Sequence, residues 1–414
     1  MKINIKAMAA VAVLLLLGLG GVTAYCAVQG KYLFQSEPQL ERPATGLPKV
    51  RLAERQPLDT TPLRDRLATD AQLLAYDTVE QYVRNADSDR FQLDGVSNED
   101  MQMAVSAFRG DHPEVFWLDP QSCYKYYDDG ASVTVELNFT ETGDALETDR
   151  QALQDAVQAV AAAAPDNADD YEIELYLNDW LIEHCAYHTE ADERHTALGA
   201  LVLGEAVCDG YARAFQLLCR QLGVECLPVE GTSDFAQDAG SGHMWNVVQL
   251  GGSWYHTDVT WNDAPGAVSG AERYFYLNLT TAQITRDHVI GGSFDDSGES
   301  YFNVYVPDCD SDALHYMHRT FVTVKNPEDD AAMVASLLDA ARRRQSYCAF
   351  LLDEGEDFAA LSQQITEAYA AEWVRGANLF LNGNPTIAPG GGVVTYESKR
   401  VLVLLPEYQE SYQT

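Results

Sequence analysis

Apolar residues in the first part of the chain recur with the spacing of helices and, in one stretch, with that of a strand. Over residues 63–85 they return every three or four positions, and they do so again over about 149–164, where Pro165 ends the pattern. The run 131–139 alternates apolar and polar residues, which is typical of a half-buried strand. We expect residues 63–169 to form an N-terminal region of helices with a strand.

The pattern is sharpest between residues 170 and 290. It predicts one helix from Asp170 to about Cys185 and a second from about Asp209 to Leu222. The glycine pair at 251–252 predicts a tight hairpin turn, and helices followed by antiparallel strands indicate an α+β domain. The predicted strands cover residues 224–231, 243–250 and 253–260.

The last hundred residues alternate between strand and helix patterns. They follow a polar, glycine-rich stretch at 291–300, and we interpret 315–414 as a small separate α/β domain. Helices are predicted near 329–344 and 357–373. The predicted strands are 320–325, 347–352, 377–382 and about 393–405.

The first thirty residues have the composition of an export segment. Lys2 and Lys6 precede an uncharged, strongly apolar stretch, and positive charges before such a stretch favour a body outside the cytoplasm. We interpret 1–30 as a signal peptide or a single membrane span, and we favour the retained anchor over a cleaved signal because the stretch is long enough to cross a bilayer as a tilted helix. The proline-rich stretch 31–62 predicts a semi-extended stalk.

The composition and net charge of the chain limit the kinds of molecule that it can bind. The chain has 27 Lys and Arg residues against 63 Asp and Glu, a net charge of −36, which excludes binding to nucleic acid through phosphate attraction. Eight cysteines are present. Apart from Cys26 and Cys208 they are too scattered to define a disulfide framework, and buried free thiols are as good an interpretation as any bridge.

The segment GEAVCDGYARAF, residues 204–215, carries the strongest chemical signal. It places Cys208 between a glycine-containing loop and a predicted helix. Unpaired backbone N–H groups and the helix dipole at such a junction favour the thiolate, which is the nucleophilic form of cysteine. The backbone N–H of Cys208 is also a candidate donor to an oxyanion.

A thiolate nucleophile needs a histidine, and His243 is the histidine that hairpin geometry singles out. If the turn at 251–252 has even length, Leu250 faces Ser253 and the register pairs His243 with Thr260. Asp258 then lies diagonally across from His243 on the same face, within reach of its ring. Such a carboxylate would fix the tautomer of the imidazole and stabilise its protonated form.

These blocks resemble the transglutaminase-like superfamily of papain-fold cysteine enzymes, in its bacterial exported type. The resemblance rests on GEAVCDGYARAF (204–215), on GHMWNVVQLGGSWYHTDVTWND (242–263) and on RYFYLNL…RDH (273–288). It implies a papain-like catalytic core over 170–290. It also implies that Cys208 is the nucleophile, His243 the general base and acid, and Asp258 the residue that orients it.

Other candidate residues carry weaker signals. Trp261 is a candidate for the wall of a substrate cleft because it follows Asp258 closely. His184, His188 and His195 are close in sequence, but no fourth ligand is evident, so we interpret them as surface or packing residues. The acidic stretches lack the spacing of a calcium loop. We therefore expect neither a metal nor a cofactor.

Together these features predict an extracytoplasmic cysteine enzyme that attacks an amide carbonyl of a protein or peptide at the cell surface and forms a thioester. Hydrolysis, as in a protease or deamidase, is slightly favoured over cross-linking because water is in great excess outside the cell. The alternative is a non-catalytic cell-surface binding or envelope-assembly protein on a papain-like scaffold. An intact Cys, His and Asp set argues against that alternative.

Overall fold

The computed structural model describes two compact units. The described residues are 57–120, 122–233, 242–263, 267–293, 300–301, 303–381, 383 and 385–409. One unit holds the described residues up to 267 together with 272–319, and the other holds 268–271 and the described chain from Thr320 onward. Within these ranges no helix combines the length and apolar character needed to cross a bilayer. The predicted export segment and most of the predicted stalk lie outside the described residues.

The N-terminal region contains more elements than the periodicity predicted. The first helix is shorter than expected: it begins after Thr69, whose side chain accepts the Gln72 N–H, while Leu67 before it is extended. The pattern missed the first two strands and the second helix, but it located the central strand of the sheet, whose order is β1-β3-β2. The elements are α1 (Asp70–Arg84), β1 (Phe91–Asp94), α2 (Asn98–Asp111), β2 (Tyr124–Asp128), β3 (Ser132–Leu137) and α3 (Gly143–Ala162).

The central region is α+β, as the sequence predicted. A four-stranded antiparallel sheet has the order β8-β7-β6-β9, and α5 packs against it, with the Asn246 side chain donating to the backbone oxygen of Ala212 at 3.1 Å. The elements are α4 (Asp170–His184), β4 (Ala186–Tyr187), β5 (Glu205–Ala206), α5 (Cys208–Gln221), β6 (Cys226–Ser233), β7 (Gly242–Leu250), β8 (Ser253–Thr257), α6 (Val259–Asn262), α7 (Thr281–Ile284), β9 (His288–Ile290), β10 (Gly292–Ser293), β11 (Ser300–Tyr301) and α8 (Tyr316–Thr320).

The hairpin follows the predicted register only as far as Thr257. Leu250 pairs with Ser253 and the ladder continues to Asn246 opposite Thr257, as an even turn requires. The predicted strand 253–260 is wrong beyond that point, because the Asp258 side chain accepts the Trp261 N–H and starts α6. The predicted pairing of His243 with Thr260 therefore does not form.

The C-terminal unit has a mixed four-stranded sheet of order β12-β13-β16-β15, in which only β12 and β13 are parallel. The predicted strand 377–382 is wrong. Trp373, Ala377 and Leu381 recur every four residues and are all buried, so this stretch continues a helix. The elements are β12 (Val322–Val324), α9 (Ala331–Arg343), β13 (Cys348–Leu352), α10 (Phe358–Gln364), α11 (Ala370–Leu381), β14 (Thr386–Ile387), β15 (Gly392–Tyr396), β16 (Val401–Leu405) and β17 (Tyr408–Gln409).

Candidate active site

Cys208 is the first residue of α5, a helix of 14 residues. The residue before it, Val207, makes no side-chain capping hydrogen bond. Within the first turn the Asp209 side chain accepts the Gly210 N–H at 3.1 Å, whereas the Cys208 N–H precedes the first intrahelical donor. The backbone at Arg194 approaches the helix so closely that a Cβ at Gly210 would lie 2.5 Å from the Arg194 backbone oxygen. The half-buried thiol therefore lies at the positive end of a helix that packs closely against the backbone at Arg194.

His243 and Asp258 meet at one end of the sheet. His243 lies at the start of β7, and its Nε2 is 2.6 Å from Oδ2 of Asp258, which directly follows β8. Both residues are buried, with exposed fractions of 7% and 0%. The Cys208 thiol is close enough to contribute to raising the pKa of His243, and because Nε2 faces Asp258, Nδ1 is the ring nitrogen left for the thiol. The structure thus brings the three sequence-predicted residues together at one site.

The charges around His243 stabilise its protonated form, the imidazolium. Burial lowers the pKa of His243, but the charge and hydrogen bond of Asp258, together with Cys208, outweigh burial and raise the pKa to about 9. Burial also acts to raise the pKa of Asp258, but His243 and His288 hold it well below its usual range. At neutral pH the carboxylate is ionised and His243 carries a proton that it can give to a leaving group.

A family model describes this part of the chain. Residues 157–259 match the model of the transglutaminase-like superfamily, and the match contains Cys208, His243 and Asp258. The chain carries a transglutaminase-like domain.

Two curated relatives match short segments of the chain. Kyphoscoliosis peptidase of Mus musculus is 34% identical over 94 residues, which are 20% of this chain and 14% of the relative. The Homo sapiens protein of the same name is 43% identical over 61 residues, 13% of this chain and 9% of the relative. The chain therefore spans only a small part of the length of these relatives. Among solved structures, the crystal structure of a TGase aligns with 13% identity and a TM-score of 0.25, covering 35% of this chain and 45% of that chain.

A second histidine at this site, outside the residues that match the family model, was missed by the sequence reasoning. His288, on β9, is buried, and its Nε2 lies 3.0 Å from the same Asp258 oxygen that contacts His243. Its other ring nitrogen, Nδ1, lies 2.7 Å from Oδ1 of Asp287. The only sequence signal was its place at the end of the RDH block, because a strand of three residues has too few positions to show a period.

Trp261, predicted as a cleft residue, lies beside His243 and His288. Its ring centroid is 6.2 Å from that of His243 and 4.6 Å from that of His288. The side chain is only partly buried. Its contact with substrate stays a prediction.

Among the described residues, one group has the composition of a metal site: His243, Asp258 and His288, whose ligand atoms all lie within 4.8 Å of one another. Two ligands at about 2.0 Å from a tetrahedral zinc ion would lie about 3.3 Å apart. The His243–Asp258 distance of 2.6 Å is instead that of a charge-assisted hydrogen bond. The donor geometry therefore fits a hydrogen-bonded cluster and does not fit a bound metal.

The three histidines considered as a metal set from sequence contact separate groups. His184 stacks on Trp180 with ring centroids 4.4 Å apart. His188 lies 3.6 Å from a carboxylate oxygen of Glu205, and His195 lies 3.0 Å from Asp209. The structure does not bring these three together.

We expect iodoacetamide to alkylate Cys208 faster than the other described thiols below pH 7, because Cys208 lies at a helix start beside the imidazolium of His243. The dependence of the Cys208 alkylation rate on pH should show a second step near pH 9, where His243 loses its proton. Burial raises the pKa of thiols such as Cys185 to about 12, so the half-buried Cys123 is the fair comparison. Peptide mapping by mass spectrometry would give both rates. Equal labelling of Cys123 and Cys208 would contradict an activated thiol.

A buried carboxyl group supports the end of β8 just before Asp258. Glu174, on α4, accepts hydrogen bonds of 2.6 Å from the Thr257 hydroxyl and from the Asn278 side-chain amide. Burial raises the pKa of Glu174, and although these hydrogen bonds oppose the shift, the pKa reaches about 7. This carboxyl group therefore ionises inside the protein near neutral pH.

Replacing Glu174 by glutamine should stabilise the domain at pH 8. The raised pKa means that folding stability is lost as pH rises from 4.5 to about 7, whereas an amide has no proton to lose. The gain in free energy of unfolding should reach at most about 3 kcal/mol. Urea unfolding at about pH 5 and about pH 8 would test this, with little difference between variant and wild type at the lower pH. A Glu174→Gln variant less stable than wild type at pH 8 would refute it.

Proposed function

We propose that the chain is a cysteine amidase that attacks an amide carbonyl of a protein or peptide. The observation that carries the proposal is the position of Cys208 at a helix start whose N-cap residue makes no side-chain hydrogen bond, beside a hydrogen-bonded His243–Asp258 pair. The match to the transglutaminase-like superfamily supports the same chemistry.

The first half of the reaction forms a thioester. Sγ of the Cys208 thiolate attacks the carbonyl carbon, and the carbonyl electrons move to the oxygen, which the first-turn N–H of Cys208 is placed to stabilise. His243 gives its Nδ1 proton to the nitrogen of the leaving amine or ammonia as the C–N bond breaks. The products of this half are the free amine and an acyl group bound to Cys208.

The second half depends on the acceptor. Neutral His243 takes a proton from water, the hydroxide attacks the thioester carbon, and the C–S bond breaks to return the thiolate. We favour water over a primary amine because water is in excess at a cell surface, and because the curated relatives are named peptidases. The activity is then proteolysis or deamidation, with cross-linking as the variant that uses an amine.

We also propose that the domain works outside the cytoplasm. The support is the pattern of Lys2, Lys6 and the apolar stretch after them. A non-permeant protease added to intact cells should degrade the domain. Complete protection, with digestion only after lysis, would refute this location.

Product masses test the proposed reaction. The detergent-solubilised full chain would be incubated with glutamine-containing peptides, with and without a primary amine. Deamidation replaces an amide nitrogen by oxygen, cleavage gives two shorter peptides, and cross-linking adds the amine with loss of ammonia. Binding of peptides without any of these mass changes would favour the non-catalytic alternative.

A further inference from the structure

We propose that His288 is a positioning residue for the triad: a doubly protonated imidazole held between Asp258 and Asp287, which fixes the carboxylate that orients His243 and offsets part of its charge. The inference deepens the proposed function and rests on it. The argument begins with the two ring nitrogens of His288, because each of them faces a carboxylate.

A neutral imidazole cannot satisfy both contacts of His288. Nε2 is 3.0 Å from Asp258 and Nδ1 is 2.7 Å from Asp287. Neutral imidazole has one N–H and one lone pair, so one of these contacts would set a lone pair against an ionised carboxylate. With a proton on each nitrogen, both contacts become charge-assisted hydrogen bonds. The Tyr276 hydroxyl donates to the second oxygen of Asp287 at 2.8 Å, which supports the ionised form of that carboxylate.

The surroundings of His288 agree with a cation. Its side chain is fully enclosed, and a buried charge is tolerated where it is paired, as it is here on two sides. The hydrogen bonds and charges of the two aspartates outweigh burial and raise the pKa of His288. The neighbouring His256 is the neutral one: it accepts the Trp245 indole N–H, and burial and the charge of His288 lower its pKa to about 3. The titratable groups that face His288 are His243, His256, Asp258, Tyr276 and Asp287.

The fold brings this cation to the triad through a close approach of strands. Gly231 of β6 pairs with His243 on one side and with Ile290 of β9 on the other. A Cβ at Gly231 would lie 1.9 Å from the Val289 backbone oxygen, so a larger residue there would push β9 away. The Asp258 carboxylate then receives three donors from three elements: the rings of His243 and His288 on one oxygen, and the Trp261 N–H on the other. Its orientation is set from three sides.

The positive charge of His288 also affects how strongly His243 binds its proton. The two imidazole centroids are 5.3 Å apart, and a like charge at this distance weakens proton binding. The charge of His288 therefore lowers the affinity of His243 for its proton. As a result, His243 can release this proton to a leaving group. Removing the charge of His288 should move the deprotonation of His243 upward by about one pH unit.

Two variants separate charge from contact. His288→Gln keeps an amide donor toward Asp258 and removes the charge, whereas Asp287→Asn keeps an acceptor for Nδ1 and removes the second carboxylate. His256→Gln is the matched control, because it alters a buried histidine that does not touch Asp258. All four full-length proteins would be labelled with ¹⁵N-histidine and titrated by NMR, and their Cys208 alkylation rates would be followed against pH.

In the wild type both nitrogens of His288 should be protonated at pH 7, and in Asp287→Asn this state should end at a lower pH. The upper step of the alkylation profile should rise by about one pH unit in His288→Gln and stay in place in His256→Gln. A neutral His288 at pH 7, or a His288→Gln profile that falls at every pH without moving, would overturn the inference. Neither readout needs turnover, so these results stand apart from a failure to find amidase activity.

Discussion

Replacing Cys208 by alanine should lower kcat for amide cleavage by at least about 10⁴-fold and leave the domain folded. The side chain is half-buried at a helix start, so its loss removes the nucleophile without opening a cavity in the core. His243 and Asp258 would keep their 2.6 Å contact, because that contact does not depend on the thiol. The measurement is the rate of product formation by mass spectrometry, together with the loss of the covalent thioester.

Cys123→Ser is the matched control for this prediction. Cys123 is the other half-buried thiol among the described cysteines, and it lies outside the triad, so its replacement should leave the rate unchanged. Cys208→Ser gives a further check, because a hydroxyl in the same place is a far weaker nucleophile than a thiolate. If Cys208→Ala retained a rate close to that of the wild type, the chemistry would have to be assigned to another residue.

Replacing Asp258 by asparagine should lower kcat by about 10³- to 10⁴-fold even though the side chain keeps its shape. An amide offers no negative charge to His243 and can present an N–H where the ring needs an acceptor. Without the carboxylate the pKa of His243 should fall below its value of about 9, and the alkaline limit of activity should fall with it. The kcat profile against pH measures both effects.

The same substitution should also destabilise the domain, by about 3–5 kcal/mol near neutral pH, because it leaves buried imidazole charge without its partner. In the wild type, the raised pKa of His243 gives stability that is present below 6.5 and lost as pH rises through about 9. The lowered pKa of Asp258 gives stability present above 3.8 and lost as pH falls below that value. The loss of stability in the variant should therefore be largest between pH 3.8 and pH 6.5, where both contributions are complete in the wild type.

Asp263→Asn is the control for Asp258→Asn. Asp263 lies five residues further along and accepts a hydrogen bond of 2.6 Å from the Tyr211 hydroxyl, and it does not contact the triad histidine. Its replacement should leave the pH profile in place. An Asp258→Asn enzyme with a wild-type profile would show that the carboxylate does not orient His243.

Local pattern was enough to place the nucleophile and its helix. The glycine-containing loop before Cys208 and the apolar face after it predicted a helix from about Asp209, and α5 begins one residue earlier. The hairpin register was predictable for the same reason as far as Thr257, since Gly251 and Gly252 set an even turn and the pairs from Leu250–Ser253 to Asn246–Thr257 follow from it. Both features depend on contacts between residues close in sequence.

The wrong strand at 377–382 is a local error, because the spacing of Trp373, Ala377 and Leu381 in the sequence is already that of a helix.

Contacts between residues far apart in the sequence could not be predicted from local pattern. The sequence does not indicate that Glu174 is buried, because its partners Thr257 and Asn278 lie more than eighty residues away. Nothing in the local sequence distinguishes such a carboxyl group from a solvated one.

The sequence alone determined the α+β class of the core, the helix start at Cys208 and the pairing of the two strands that carry His243 toward Asp258. Each of these follows from periodicity or turn geometry within a few residues. Only the tertiary structure decided that Asp258 leaves the sheet to cap a helix, and that His288 comes to lie on the same carboxylate oxygen as His243. The physical reason is that burial and the close approach at Gly231 depend on strands brought together from distant parts of the chain, and these set the charges and protons of the site.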